Sequence, residues 1–269
     1  MIHHPHDKAT LTQITDQAFR AHDPDRAIEQ LIHILDVQGI PGFFSPIDHA
    51  LLKGLQTFGS YLPGVAATLV KDKMQHETAN VILPAEEKIL RRHLSARRKA
   101  GLRMNLNHLG EALLGEKEAR RRLQNYLQTL QIPETEVISV KISTIYSQIN
   151  PIARKHTIEV LCQRLELLCR AAAREIFVRE DGTEVPKFVY LDMEEYRDTS
   201  LTAEVFMRTL DRPGLKNINA GIALQAYIPD AFLTQKAINA WARRRIAAGG
   251  SPVTIRIVKG ANLEMERYE

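Results

Sequence analysis

Long apolar runs are missing from this 269-residue sequence. No window approaches the roughly 18 uninterrupted apolar residues that a membrane-spanning helix needs. The opening Met1-Ile2-His3-His4-Pro5-His6 also lacks the apolar centre of a secretory leader. Those scattered histidines carry no metal-site spacing. Cysteine is scarce: Cys162 and Cys169 stand seven positions apart in a helical pattern, so their Cα atoms lie roughly 10 Å apart. That exceeds disulfide reach, and both read as core thiols of a reducing compartment. Charge of one sign is not in excess either, with 36 basic against 32 acidic residues and a net +4. So small a balance marks neither a nucleic-acid binder nor a protein of anionic membranes. Aromatic residues make up only 6%, too few for base-stacking platforms among the arginine runs. Neither GxGxxG nor GxxxxGK[ST] occurs, which removes the usual phosphate-cradling turns.

What is present is a 44% hydrophobic chain, enough to bury one large core or two smaller ones. The first seventy or so residues are helical in pattern. Leu11, Ile14, Ala18 and Phe19 share a face. Asp23-Pro24 supplies a cap and a first-turn proline for a helix through Ala27, Ile28, Leu31, Ile34 and Leu35. Gln38-Gly39-Ile40-Pro41-Gly42 ends that helix, Ser45-Pro46 opens another, and Pro63-Gly64 interrupts the next turn.

From Ala79 the pattern alternates. Strand candidates are Asn80–Leu83, Leu102–Asn107, Val137–Ile142, Phe188–Leu191, Gly221–Tyr227 and Val253–Val258. Helices are expected from Pro84 through Ala100, around Ala119–Leu130, over 152–175, over Thr199–Leu210 and over 230–247. The polar stretch Arg179–Glu184 reads as a turn. Six strands separated by helices indicate parallel βαβ units with right-handed crossovers. The central stretch, Lys187-Phe188-Val189-Tyr190-Leu191-Asp192-Met193-Glu194-Glu195-Tyr196, passes from an apolar run to carboxylates. That is the signature of a buried strand whose C-terminal end faces ligand. A helix cap at Asp192 or Glu194 is the plainer alternative.

The other strand ends repeat the pattern, with Asn105, Asn107 and His108, then Lys141 and Ser143, Gln225 and Tyr227, and Arg256 and Lys259. Adjacent parallel strands lie roughly 4.8 Å apart, so Lys141 and Asp192 are expected as neighbours on one rim. There the opposite charges would keep Lys141 protonated and Asp192 ionised for a zwitterionic ligand. Gln225 can both donate and accept, as the N–H and C=O edge of a heterocycle requires. Arg256 points into the mouth of a barrel, needing an acceptor. A salt bridge to Asp192 serves it as well as a ligand. The basic runs Arg91-Arg92-His93, Arg97-Arg98-Lys99, Arg120-Arg121-Arg122 and Arg243-Arg244-Arg245 lie in amphipathic helices and read as solvated outer faces.

Leu106-Asn107-His108-Leu109-Gly110-Glu111-Ala112, Val140-Lys141-Ile142-Ser143, Leu191-Asp192-Met193-Glu194-Glu195, Gln225-Ala226-Tyr227 and Arg256-Ile257-Val258-Lys259-Gly260-Ala261 follow the order seen in proline dehydrogenases. The sequence resembles that family from about Ala79 onward. More narrowly, it is similar to the proline dehydrogenase half of bifunctional proline utilisation A proteins, whose other half is an aldehyde dehydrogenase. The resemblance implies an α/β fold, a distorted (βα)8 barrel that this chain follows for about six strands. A helical arm over 1–75 would precede a barrel domain over 76–269. It implies FAD-dependent oxidation of L-proline to 1-pyrroline-5-carboxylate, with hydride passing to flavin N5 and electrons onward to a quinone or other acceptor. Lys141 would bind the proline carboxylate and Asp192 would shape the polar substrate end. Met193, Gln225, Arg256, Val258, Lys259, Gly260 and Ala261 would contact FAD. Asn262 stands where many relatives carry tyrosine. A cytoplasmic location, or one peripheral to the inner face of a membrane, follows from the same likeness, and no nucleic-acid partner does. Six strands do not close an eight-strand barrel, so the isolated chain is expected to be inactive. The alternative to the enzyme reading is a non-catalytic scaffold role in a larger bifunctional chain. A nucleic-acid-binding module built on the arginine runs is the third reading.

Overall fold

The polar–apolar alternation of the strands decides how the chain packs, and a computed structural model shows it. The structure describes residues 24–40, 42, 49–50, 52–54, 56, 86–108, 115–193 and 195–259. The chain divides into two compact units, residues 1–89 and 90–269. In the first, helix α1 (Pro24–Gln38) begins on the expected proline. It buries Leu31, Ile34 and Leu35 along one stripe. Gly39, at φ 80°, ends it, its N–H donating to Leu35 O at 2.9 Å. Helix α2 (Glu87–Lys99), most of it in the second unit, has Glu87 in its first turn and Arg97, Arg98 and Lys99 in its last, each opposing the helix dipole. Gly101 stops it at φ 73°, with Leu102 N–H returning to Arg97 O at 3.0 Å in a left-handed cap. The strand expected over Asn80–Leu83, the helix over Leu11–Phe19 and the Pro63-Gly64 break lie outside the described residues, as does most of the helix opened by Ser45-Pro46.

The second unit is a regular alternation. It runs β1 (Asn105–Asn107), α3 (Glu116–Gln131), β2 (Val137–Lys141), α4 (Ile142–Ile145), α5 (Arg154–Arg174), β3 (Ile176–Val178), β4 (Glu184–Pro186) and β5 (Phe188–Asp192). A 3-10 turn (Tyr196–Asp198), α6 (Thr199–Leu210), β6 (Ala220–Gln225), α7 (Asp230–Ala247) and β7 (Thr254–Val258) follow. Five strands form one sheet in the order β1-β2-β5-β6-β7, and every pairing within it is parallel. Each right-handed crossover steps in the same direction, so the connecting helices gather on one face. A doubly wound sheet would reverse its order at a switch point, and none occurs among the described strands. The architecture is therefore the singly wound, barrel-type one.

Burial follows the pleat. Ile138, Val140, Val189, Leu191, Ile222 and Leu224 are at most 2% exposed. They pack in one core with Leu123, Tyr126 and Leu130 of α3, Leu161, Leu165 and Leu168 of α5, Phe206 of α6 and Trp241 of α7. The alternate residues, Ser139, Lys141, Tyr190, Asp192, Ala223, Gln225 and Arg256, share the opposite face, because parallel register partners point the same way. Cys162 and Cys169 are free and buried, and burial pushes the Cys169 thiol up to about 12.

Two expectations are corrected and one is extended. The expected turn after Arg179 is present, and it forms the tip of an antiparallel hairpin, β3 against β4, which the three-residue strands were too short to announce. Tyr227 lies beyond β6, in the turn leading to α7. The run Arg243-Arg244-Arg245 is not wholly solvated. Arg245 is 7% exposed and donates to Leu210 O (2.6 Å), Leu215 O (2.8 Å), Ile218 O (3.2 Å) and Ser251 O (3.0 Å). One guanidinium thereby ties the end of α6 and the approaches to β6 and β7. Arg120 and Arg121 do face solvent, paired with Glu116 and Glu118.

Candidate active site

Side chains at the C-terminal ends of the strands converge on the sheet face that the helices leave uncovered. Lys141 and Asp192 are direct register partners across β2 and β5, so the expected neighbours are neighbours. From β7, Arg256 reaches across β6 and donates through Nη2 to Asp192 Oδ1 at 2.5 Å. Its guanidinium carbon lies 4.9 Å from the centroid of the Tyr190 ring, within cation–π range. Phe188 and Tyr190 pack ring against ring at 4.8 Å. This stack exists because β6 presents glycine there. A Cβ on Gly221 would meet Tyr190 Cε1 at 2.2 Å and Phe188 Cε1 at 3.0 Å.

The charged neighbours of Asp192 do not act on its carboxyl alone. Burial raises its carboxyl above the ordinary aspartate value, while the charges of Arg256 and Lys141 pull it back only in part. The desolvation of a carboxylate sunk in a sheet outweighs the attraction of its cations. Ser139 is itself buried at 1%, and its Oγ accepts from Asn105 Nδ2 at 2.9 Å.

A second layer holds the end of β2. Thr144 Oγ1 donates to Lys141 O at 2.8 Å, and Tyr126 Oη lies 3.4 Å from Thr144 Oγ1. His108, at the end of β1, sets its ring edge-on to Tyr126 at 4.7 Å, with Nε2 2.9 Å from Thr129 Oγ1. Burial first, and Arg122 second, lower its pKa and keep the imidazole neutral.

The structure places the remaining expected residues as follows. Gln225 is 1% exposed at the end of β6, in register with Val258. Val258 O accepts from Ala226 N–H at 2.7 Å, tying the ends of β6 and β7. Lys259 is exposed just past β7. Met193 is buried in the helix-side core. Gly260, Ala261 and Glu194 lie outside the described residues. Sequence reasoning missed Ser139, Tyr190 and Gly221, although the pleat would have found two of them. Ser139 is two residues before Lys141 and Tyr190 two before Asp192, so each shares a face with a residue already singled out.

At the opposite end of the sheet, Glu136 is 4% exposed. It receives Arg103 (Nε–Oε2 2.7 Å, Nη2–Oε1 2.5 Å) and Arg179 (Nη2–Oε1 3.2 Å). A cavity of about 240 Å³ beside it is lined by Leu94, Arg98, Met104 and Phe177 among others. Two of its arginines, Arg103 and Arg179, are already paired with Glu136. It holds none of the strand-end residues above.

Polar residues at the C-terminal ends of a sequentially ordered parallel sheet define a barrel-type α/β domain with one ligand-binding face. Residues 90–269 match the family model of proline dehydrogenase, more than half of the chain, and the chain belongs to that family. Among solved structures, proline utilisation A from Corynebacterium freiburgense is similar at 37% identity. The match covers 73% of this chain and 20% of that one, with a TM-score of 0.65. Proline utilisation A from Bdellovibrio bacteriovorus, inactivated by N-propargylglycine, matches at 24% identity over 98% of this chain and 29% of that one, again with a TM-score of 0.65. That from Bradyrhizobium japonicum matches at 20% identity over 97% and 27%, with a TM-score of 0.60. The two lower-identity matches share the fold. This chain thus spans a fifth to under a third of the length of those structures. No curated protein matches the sequence.

Proposed function

We propose that this chain carries the flavin- and proline-binding face of a proline dehydrogenase, acting within its full polypeptide to oxidise L-proline to 1-pyrroline-5-carboxylate. The observation that carries the reading is Arg256. Its Nε is buried and has no hydrogen-bond partner, although its Nη2 already serves Asp192. A buried donor without an acceptor is costly, and an acceptor supplied by a ligand removes that cost. The N5/O4 edge of a flavin is such an acceptor, so the residues present fit FAD. When bound, FAD supplies the hydride acceptor for the ring carbon next to the proline nitrogen, the product being the cyclic imine. Arg256 would hold the flavin edge and favour its electron-rich reduced form. Gln225, Val258 and Lys259 at the adjoining strand ends, with Gly260 and Ala261, complete the proposed cofactor contacts, whereas Met193 lies in the core instead.

Lys141 would neutralise the proline carboxylate, and Asp192, lodged between Lys141 and Arg256, would orient the polar end of the substrate. We extend the same reading to an aldehyde dehydrogenase half in the full polypeptide, a quinone or similar electron acceptor and a cytoplasmic setting. Residues 1–75 would be an accessory helical arm and 76–269 the barrel domain. The test is the purified full polypeptide: it should show flavin absorbance and proline-dependent dye reduction. A protein that takes up no flavin and leaves proline untouched would instead fit a scaffold role.

A further inference from the structure

Given the flavin site proposed above, we infer that Tyr190 is a positioning residue whose ring face carries the Arg256 guanidinium and fixes how it meets the flavin edge. The guanidinium carbon lies 4.9 Å from the ring centroid, within the range where an aromatic face attracts a cation. Two rows on one face of the sheet build this contact. In the lower row Tyr190 of β5, Gly221 of β6 and Thr254 of β7 are register partners. One pleat step higher, Arg256 pairs with Ala223 of β6. Small residues on β6 make room in both rows. A Cβ on Gly221 would collide with Cδ1 and Cε1 of the Tyr190 ring, so the ring lies against bare backbone. Ala223 lets Arg256 pass across β6 to Asp192. Phe188 backs the ring, centroid to centroid at 4.8 Å.

A leucine could fill the space above Gly221 too. What the ring adds is set by what the ion pair leaves open. Arg256 Nη2 meets Asp192 Oδ1 at 2.5 Å, one nitrogen on one oxygen, and such a bond lets the guanidinium turn about it. The Arg256 side chain is 36% exposed, so packing alone does not confine it. Yet its Nε is buried without a partner, and this is the N–H on offer to the flavin. Where that N–H sits therefore matters. Guanidinium planes stack on aromatic faces, so the Tyr190 ring opposes the rotation that the ion pair permits. Asp192 holds one corner of the group and the ring holds its plane.

The experiment places phenylalanine rings with no, one, two and three fluorines at position 190 of the full polypeptide, the first being Tyr190→Phe. Fluorine drains electron density from the ring face and barely changes its shape. Three quantities are read: the dissociation constant for FAD, the reduction potential of bound flavin and the melting temperature. The dissociation constant should rise with each fluorine, by about threefold or more across the series. The potential should grow more negative in the same order, while melting stays level. On an Arg256→Met background the fluorines should leave both flavin quantities unmoved, since the double change isolates the pairwise contact. A flat series in protein that binds FAD overturns the role and leaves Tyr190 as filling above Gly221. So does a series that persists without Arg256. If the most fluorinated protein fails to fold, the one- and two-fluorine rings decide between slope and no slope. A full polypeptide that takes up no flavin in any form overturns the site itself, and this role with it.

Discussion

At the scale of single residues, the site places binding ahead of stability. Because burial raises the Asp192 carboxyl, the folded protein holds that proton more tightly than the unfolded chain does. Stability from this group is therefore full at acid pH and is lost as pH rises from the ordinary aspartate value through the raised one. Above the raised value the ionised carboxylate is a cost to folding. Asp192→Asn should leave the melting temperature at neutral pH unchanged or higher, since Arg256 keeps its Tyr190 contact. It should lower kcat/KM for proline by about 10² or more, as should Lys141→Met, each removing a buried polar interaction worth a few kcal/mol. A drop in stability with normal kinetics would make both residues structural. Gly221 makes a separate prediction. Gly221→Ala must displace the Tyr190 ring, so it should destabilise by about 1–3 kcal/mol and weaken flavin retention, as read by thermal melting and bound-flavin absorbance. A variant that melts and binds like the wild type would show that the ring stack is dispensable.

At the scale of elements, two buried cations satisfy backbone carbonyls. Lys187 Nζ donates to Leu130 O at 2.6 Å and Ile132 O at 2.7 Å, closing the C-terminus of α3 where β5 begins. Arg245 satisfies four carbonyls at the ends that feed β6 and β7. Arg245→Met keeps the bulk but strands those carbonyls, and should cost about 3 kcal/mol or more in urea unfolding. A loss under about 1 kcal/mol would mean that water replaces the guanidinium without penalty. These clamps were not legible in the sequence, where Arg245 is one of three arginines on a helix. The elements themselves were. Thr199–Leu210 and 230–247 are helices with the expected ends, and β2, β5 and β7 match the expected runs to within a residue. Their apolar periods are long and their flanks carry proline, glycine or a cap. The hairpin β3–β4 was hidden because three-residue strands show too little alternation to separate from a turn.

At the scale of the molecule, the sheet order fixed which face carries chemistry. Sequential parallel pairing sends the helices to one side, so the pleat alone sorts Ile138, Val140, Val189 and Leu191 from Ser139, Lys141, Tyr190 and Asp192. The sequence showed the strand ends and the pairing of Lys141 with Asp192. It could not show that Arg256 crosses β6 at Ala223 to reach Asp192, because that contact depends on the strand lying between β5 and β7 and on the register across it. The most direct test of the account is the reduction potential of bound flavin in Arg256→Met against wild type. A cation at the flavin edge stabilises the reduced form. Its removal should make the potential more negative by about 30 mV or more, the equivalent of about 1.4 kcal/mol for a two-electron couple. An unchanged potential with unchanged proline turnover would contradict the account and leave Arg256 as the salt-bridge partner of Asp192 alone.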